Sequence, residues 1–137
     1  MTYMGSGDPA RRRTDYYPAW LDKLADDVTL EASATNGAAQ GAEAVRAIVL
    51  GVKSLYDCQE LNFYGDYDHN SFIEEYTTRV RGEPLGVVGV ITRNAAGETQ
   101  HIVVNHRPRS SLLPLASLLG DKFAGTPYAK YFVASQS

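Results

Sequence analysis

Glu74, Tyr76 and Thr78 occupy alternate positions of the run FIEEYTTRV (Phe72–Val80), so as a strand they share one face. His106 closes a later apolar run, QHIVVNH. A carboxylate near an imidazole fixes its tautomer and raises its pKa, which suits general base work near neutral pH. A tyrosine hydroxyl can hydrogen-bond a carbonyl or a developing oxyanion. The same residues also fit a plainer role, a satisfied polar cluster at one end of the fold with Glu74 paired to an arginine such as Arg107.

Other reactive side chains carry less. Cys58 is the only cysteine, which excludes an internal disulfide, and with no Cys-His spacing around it a small buried thiol is expected. His101 is one residue from Ile102 and falls on the face opposite His106, while His69 belongs to a turn; three histidines so distributed make no metal site. Asp26 and Asp27 suit a solvated helix-to-strand turn. No cofactor is expected.

The elements that must position these residues follow from periodicity. Residues 1–13, with Gly5, Gly7, Pro9 and three successive arginines, are expected to form a mobile arm before a single domain over 14–137. Tyr17, Trp20, Leu21 and Leu24 recur at helical spacing, with Pro18 in the first turn. Val28, Leu30, Ala32 and Ala34 alternate as a strand. Val45, Ile48, Val49, Val52, Leu55 and Tyr56 trace a long helical stripe. From Cys58 onward the period is two: a strand holding Leu61 and Phe63, a turn from Asp68 to Ser71, a strand from Phe72 to Val80, and a valine-rich strand from Leu85 to Arg93. A hairpin at Asn94–Gly97 and a last strand from Glu98 to Arg107 complete the set. Leu112, Leu115, Ala116, Leu119 and Phe123 predict a C-terminal helix with Pro114 in its first turn. Strands grouped after helices argue for α+β, with an antiparallel sheet curling around a long helix to leave a concave space.

Composition sets the outer bounds. A chain of 137 residues suits one domain, and a net charge of −3 gives no reason to expect nucleic acid. No apolar run approaches the roughly 18 residues of a membrane span, and the polar start does not look like a signal peptide, so a cytoplasmic protein is expected.

The runs LADDVTLE (Leu24–Glu31), GAEAVRAI (Gly41–Ile48) and EYTTRVRG (Glu75–Gly82), followed by Asn94–Gly97 before a last strand, resemble the nuclear transport factor 2-like superfamily over about Thr14 to Arg107. Its members include ketosteroid isomerases, SnoaL-like polyketide cyclases and limonene epoxide hydrolases. The resemblance implies a cone-shaped curved antiparallel sheet packed on helices around a pocket. It lacks the superfamily's long first helix, whose place the extra C-terminal helix after Pro108 would take. It places Ala32 and Gly89 where the isomerases carry their two aspartates, and the fourth strand has no Arg-x-Asp pair like that of the epoxide hydrolases, so neither mechanism carries over as it stands. It points Glu74, Tyr76, Ile91, Ile102, Val104 and His106 toward the cavity. Trp20, Tyr56 and Phe63, amphipathic-element aromatics, join them as core or pocket wall.

The outer sheet face would carry Ile73, Thr77, Val88, Val90 and Val103, an apolar surface through which the superfamily commonly forms homodimers. Three functions remain open: an enzyme moving a proton on an apolar carbonyl compound through His106, a non-catalytic binder of a small apolar molecule, or an interaction domain. The small residues Ala32, Ala34, Gly86 and Gly89 make the filled interior of the third the poorest fit.

Overall fold

The computed structural model describes residues 16–132 together with the backbone of Arg12 and Arg13. Its strands are β1 (Arg12–Arg13), β2 (Leu24–Ala32), β3 (Ala39–Gln40), β4 (Gln59–Asp66), β5 (Ser71–Val80), β6 (Glu83–Arg93) and β7 (Thr99–Arg107). Helix α1 (Ala42–Leu55) precedes β4, and α2 (Arg109–Phe123) follows β7. The strands form one sheet in the order β1-β4-β5-β6-β7-β2-β3. This is the expected α+β architecture, a curved sheet with helices against it.

Three expectations need correction. The sheet is mixed: β2 runs parallel to β7, with Leu30 opposite Ile102 and Ala32 opposite Val104. A connection as long as α1 plus β4–β6 permits a parallel return, which a short hairpin cannot. The helix expected around Tyr17–Leu24 is a single 3-10 turn, Ala19–Asp22. Beyond it the backbone joins the sheet, where Thr99 N–H donates to the Lys23 carbonyl at 2.7 Å, and Leu24 begins β2. Asp26 and Asp27 lie within β2, at a register shift between Leu24 and Thr29 that lets Ala25, Val28 and Leu30 all reach the core while both carboxylates stay exposed. Third, Pro114 lies beyond the first turn of α2, yet Ser111, Leu115, Leu119 and Phe123 keep one buried face at i, i+4 spacing.

Most of the arm expected over 1–13 lies outside the described residues; Arg12 and Arg13 pair with Glu60 and Gln59 of β4. Cys58 precedes β4 and is half-buried rather than buried.

The helix α1 starts where the stripe predicts. Gly41 ahead of it has φ 96°, a conformation that favours glycine, and donates its N–H to the Val28 carbonyl at 2.8 Å. Val45 and Ile48 are buried against β2, and each such side chain contributes about 1.5–3 kcal/mol. Across the sheet, Phe72, Ile91, Ile102 and Leu30 stand opposite one another on β5, β6, β7 and β2 and are buried as a row. This row seals one end of the sheet's inner face.

Candidate functional site

Next to that filled row lies a sparse one. Glu74, Gly89, Val104 and Ala32 are cross-strand partners on β5, β6, β7 and β2. Two of the four have almost no side chain, so the row leaves space beside the Glu74 carboxyl. A Cβ at Gly89 would approach no atom closer than 3.6 Å, so glycine there is not demanded by packing. The next row sets Tyr76, Val87 and His106 side by side.

The space is a cavity of about 60 Å³ with an almost wholly apolar wall, including Leu30, Ala32, Ile48, Val52, Val104 and Leu119. The C-terminal helix thus reaches the cavity through Leu119. The cavity's buried hydrogen-bonded titratable side chains stand at two places. At one, Glu74 is 3% exposed and accepts a 2.6 Å hydrogen bond from the Tyr16 hydroxyl. Burial pushes the Glu74 pKa up, and the Tyr16 hydrogen bond and the nearby Trp20 N–H only partly oppose it. The Trp20 Nε1 is buried without closing a hydrogen bond of its own. Burial, and then the bond to Glu74, raise the Tyr16 pKa, so its hydroxyl stays protonated.

At the other place, His106 is 7% exposed, with Nε2 2.6 Å from the Tyr56 hydroxyl. Tyr56 in turn lies 3.3 Å from the Tyr76 hydroxyl. The His106 backbone N–H donates to Ser33 Oγ at 2.9 Å, pinning the residue, while Nδ1 is buried without a partner. Burial lowers the His106 pKa to about 4, and burial raises those of Tyr56 and Tyr76. All three groups are therefore neutral near pH 7.

Two chemical expectations change here. Glu74 and His106 do not pair: the carboxyl bonds Tyr16 and the imidazole bonds Tyr56, so the His106 pKa falls instead of rising. Arg107 is not the partner of Glu74 either, since it stands 3.9 Å from Glu75 on the other face of β5.

Of the residues expected at the site, Trp20, Tyr56, Glu74, Tyr76, Val104 and His106 line the cavity. Ile91 and Ile102 do not; they belong to the filled row, fully buried. Phe63 is 53% exposed and faces outward. A register shift between Leu61 and Phe63 sets Phe63 opposite Glu75 instead of Glu74. Tyr16, Lys53, Gln59 and Phe132 also line the cavity and carried no sequence signal. His101 bonds Thr29 and lies 3.6 Å from Glu31, and His69 is exposed in its turn. Among the described residues no group of three His, Cys, Asp or Glu could hold a metal, and no helix is long and apolar enough to cross a membrane.

No protein-family model matches the chain, and no curated protein does. Solved structures do. An uncharacterized protein with a cystatin-like fold from Silicibacter pomeroyi is 19% identical, with a TM-score of 0.72 over 77% of this chain and 74% of that one. A steroid delta-isomerase from Pseudomonas aeruginosa is 22% identical, with a TM-score of 0.71 over 76% of this chain and 77% of that one. An NTF-2 like protein of unknown function from Burkholderia xenovorans is 17% identical, with a TM-score of 0.55 over 66% of this chain and 73% of that one. The chain has the nuclear transport factor 2-like, or cystatin-like, fold. At these identities the likeness is one of fold, and one scaffold hosts many functions.

Proposed function

We propose that the cavity receives the reacting end of a small apolar carbonyl compound and moves a proton on it, with Glu74 as the acid–base group and Tyr76 as the donor to the carbonyl oxygen. The observation that carries this reading is the placement of a buried carboxyl with a raised pKa and a neutral Tyr76–Tyr56–His106 chain around one apolar space. The chain can be ordered so that His106 Nε2–H donates to Tyr56, Tyr56 donates to Tyr76, and the Tyr76 hydrogen is free for a ligand. Nδ1 is then an unprotonated acceptor, buried without a donor among the described residues.

In the reaction, the Glu74 carboxylate takes a proton from the carbon next to the carbonyl. The electron pair of the broken C–H bond shifts onto the carbonyl oxygen, where the Tyr76 O–H holds the enolate. Return of the same proton to a conjugated carbon completes an isomerisation and regenerates the carboxylate. A carboxyl whose pKa has been raised toward neutrality is a better match to this work than a solvated one. His106, with a pKa near 4, serves as part of the clamp and not as the base.

The second reading is a non-catalytic binder in which Glu74 serves only as the partner of Tyr16; the 2.6 Å bond between them favours it. Conversion of a β,γ-unsaturated cyclic ketone to its conjugated isomer, followed by ultraviolet absorbance, separates the two. The acid–base reading expects catalysis that drops by about 10²–10⁴-fold in Glu74→Gln while ligand-induced thermal stabilisation persists. Stabilisation by the ketone with no rate above buffer would establish the binder instead.

A further inference from the structure

Outside the cavity lies an open groove of about 350 Å³, walled by Tyr17, Lys23, Tyr64, Phe72, Arg93 and Thr99 among others. Tyr16, Trp20 and Glu74 belong to both walls, so they stand between the groove and the cavity. The cavity itself is too small for a typical ligand site of roughly 300–1,000 Å³, whereas the groove falls within that range.

Two cations, Lys23 and Arg93, stand in the groove wall. Thr99 pairs with Arg93 across β6 and β7, and its N–H bonds the Lys23 carbonyl, so the backbones of both residues flank Thr99. The Arg93 guanidinium sits 4.5 Å above the Phe72 ring, which fixes it without neutralising it. Among the described residues neither cation has an ion-pair partner, and the only carboxyl in the groove wall is Glu74, which Tyr16 holds. Unneutralised cations beside aromatic faces suit an anion carried on an apolar body.

We propose that groove and cavity are two halves of one site for an apolar carboxylate, with the carboxylate at Lys23 and Arg93 and the apolar end passing Tyr16 and Trp20 into the cavity. This rests on the proposed function for the chemistry at the inner end, and it names the class of compound that reaches Glu74. The Tyr16–Glu74 bond is the barrier that the ligand displaces on entry.

Trp20 is the only tryptophan and stands in the shared wall, so its fluorescence reports occupancy directly. The test compares cyclohexylbutyrate with its uncharged amide, neither of which absorbs where tryptophan does. In the wild type the carboxylate should bind about tenfold more tightly than the amide, the worth of a charge-assisted hydrogen bond. In Lys23→Gln/Arg93→Gln that ratio should fall to near one with the amide affinity unchanged. Ala32→Leu, which fills the inner half, should weaken both ligands equally and leave the ratio intact, with thermal melts confirming that each variant is folded. Equal affinities in the wild type, no binding of either compound, a ratio untouched by the double substitution, or indifference to Ala32→Leu would each overturn the proposal. Binding preference is read without turnover, so a Glu74→Gln enzyme assay can fail while the carboxylate site stands, and the reverse.

Discussion

The Tyr56 hydroxyl lies 2.6 Å from Nε2 of His106, 50 residues away in the chain, and among the described residues no carboxylate bonds that imidazole. The folded state therefore disfavours the charged ring, and burial lowers its pKa from 6.5 to about 4. Between those values the unfolded chain binds more protons than the folded one, so stability rises with pH across the window and is lost as pH falls through it. The span corresponds to about 3 kcal/mol. Glu74 acts in the opposite sense: its raised pKa contributes stability present below pH 4.5 and lost as pH rises through the folded value. Glu74→Gln removes that second contribution. Urea unfolding of Glu74→Gln and Glu74→Gln/His106→Asn should then give a stability difference that shrinks by about 3 kcal/mol between roughly pH 7 and pH 4. A difference independent of pH would mean that His106 titrates like a solvated histidine.

Tyr16 holds the carboxylate form of Glu74 by donating to it, against the larger effect of burial. Tyr16→Phe deletes the donor and leaves the burial, so the Glu74 pKa should rise further. The side-chain carboxyl resonance of Glu74, followed by carbon NMR, should titrate at higher pH in the variant than in the wild type. If Glu74 is the base, the acid limb of the rate profile moves the same way. An unchanged or lowered midpoint would remove Tyr16 from the description of the site.

How far the sequence reveals this arrangement depends on the range of the interaction. The α1 stripe and the alternation of β5 through β7 are local periods, so Val45, Ile48, Glu74, Tyr76 and His106 fall where the pattern puts them. Phe63 does not, because one register shift reverses the parity of everything after it, and nothing in LNFY marks the shift. Ile91 and Ile102 face inward as expected but fall in the row that Phe72 and Leu30 fill. Tyr17, Trp20, Leu21 and Leu24 have helical spacing over too short a span to outweigh the ladder that β2 gains with β7. Tyr16 lies outside any helix or strand, in a segment without period, and only closure across 58 residues brings it to Glu74.

Gly51 lies in the middle of α1, where alanine would ordinarily stabilise by about 1 kcal/mol. A Cβ there would clash with Cζ of Phe123, whose ring stacks on Phe132 at 5.1 Å and meets Tyr128 edge-on at 6.1 Å. The ring tip has packed neighbours and cannot shift freely, so overpacking outweighs propensity. Gly51→Ala should lower stability by about 1 kcal/mol or more in thermal or urea unfolding. Gly51→Ala/Phe123→Leu should be more stable than the sum of the two single changes implies. A stabilised Gly51→Ala would show that α2 yields to α1.

The outer face sets Ile73, Val90 and Val103 side by side on β5, β6 and β7, with Val88 one step along β6, all half-buried in a single chain. The flanking His101 and Glu31 lie 3.6 Å apart and leave no block of one charge on that side. We propose that a second copy of the chain covers this surface, since a two-fold contact needs only the same apolar strip on both copies. Light scattering at micromolar concentration should give twice the mass of one chain. Val90→Arg would place two arginines near the interface centre and should give the mass of one chain, with the single-chain fold kept by circular dichroism. A wild-type monomer at that concentration, or a Val90→Arg dimer, would mean that the strip is left open or that the copies meet elsewhere.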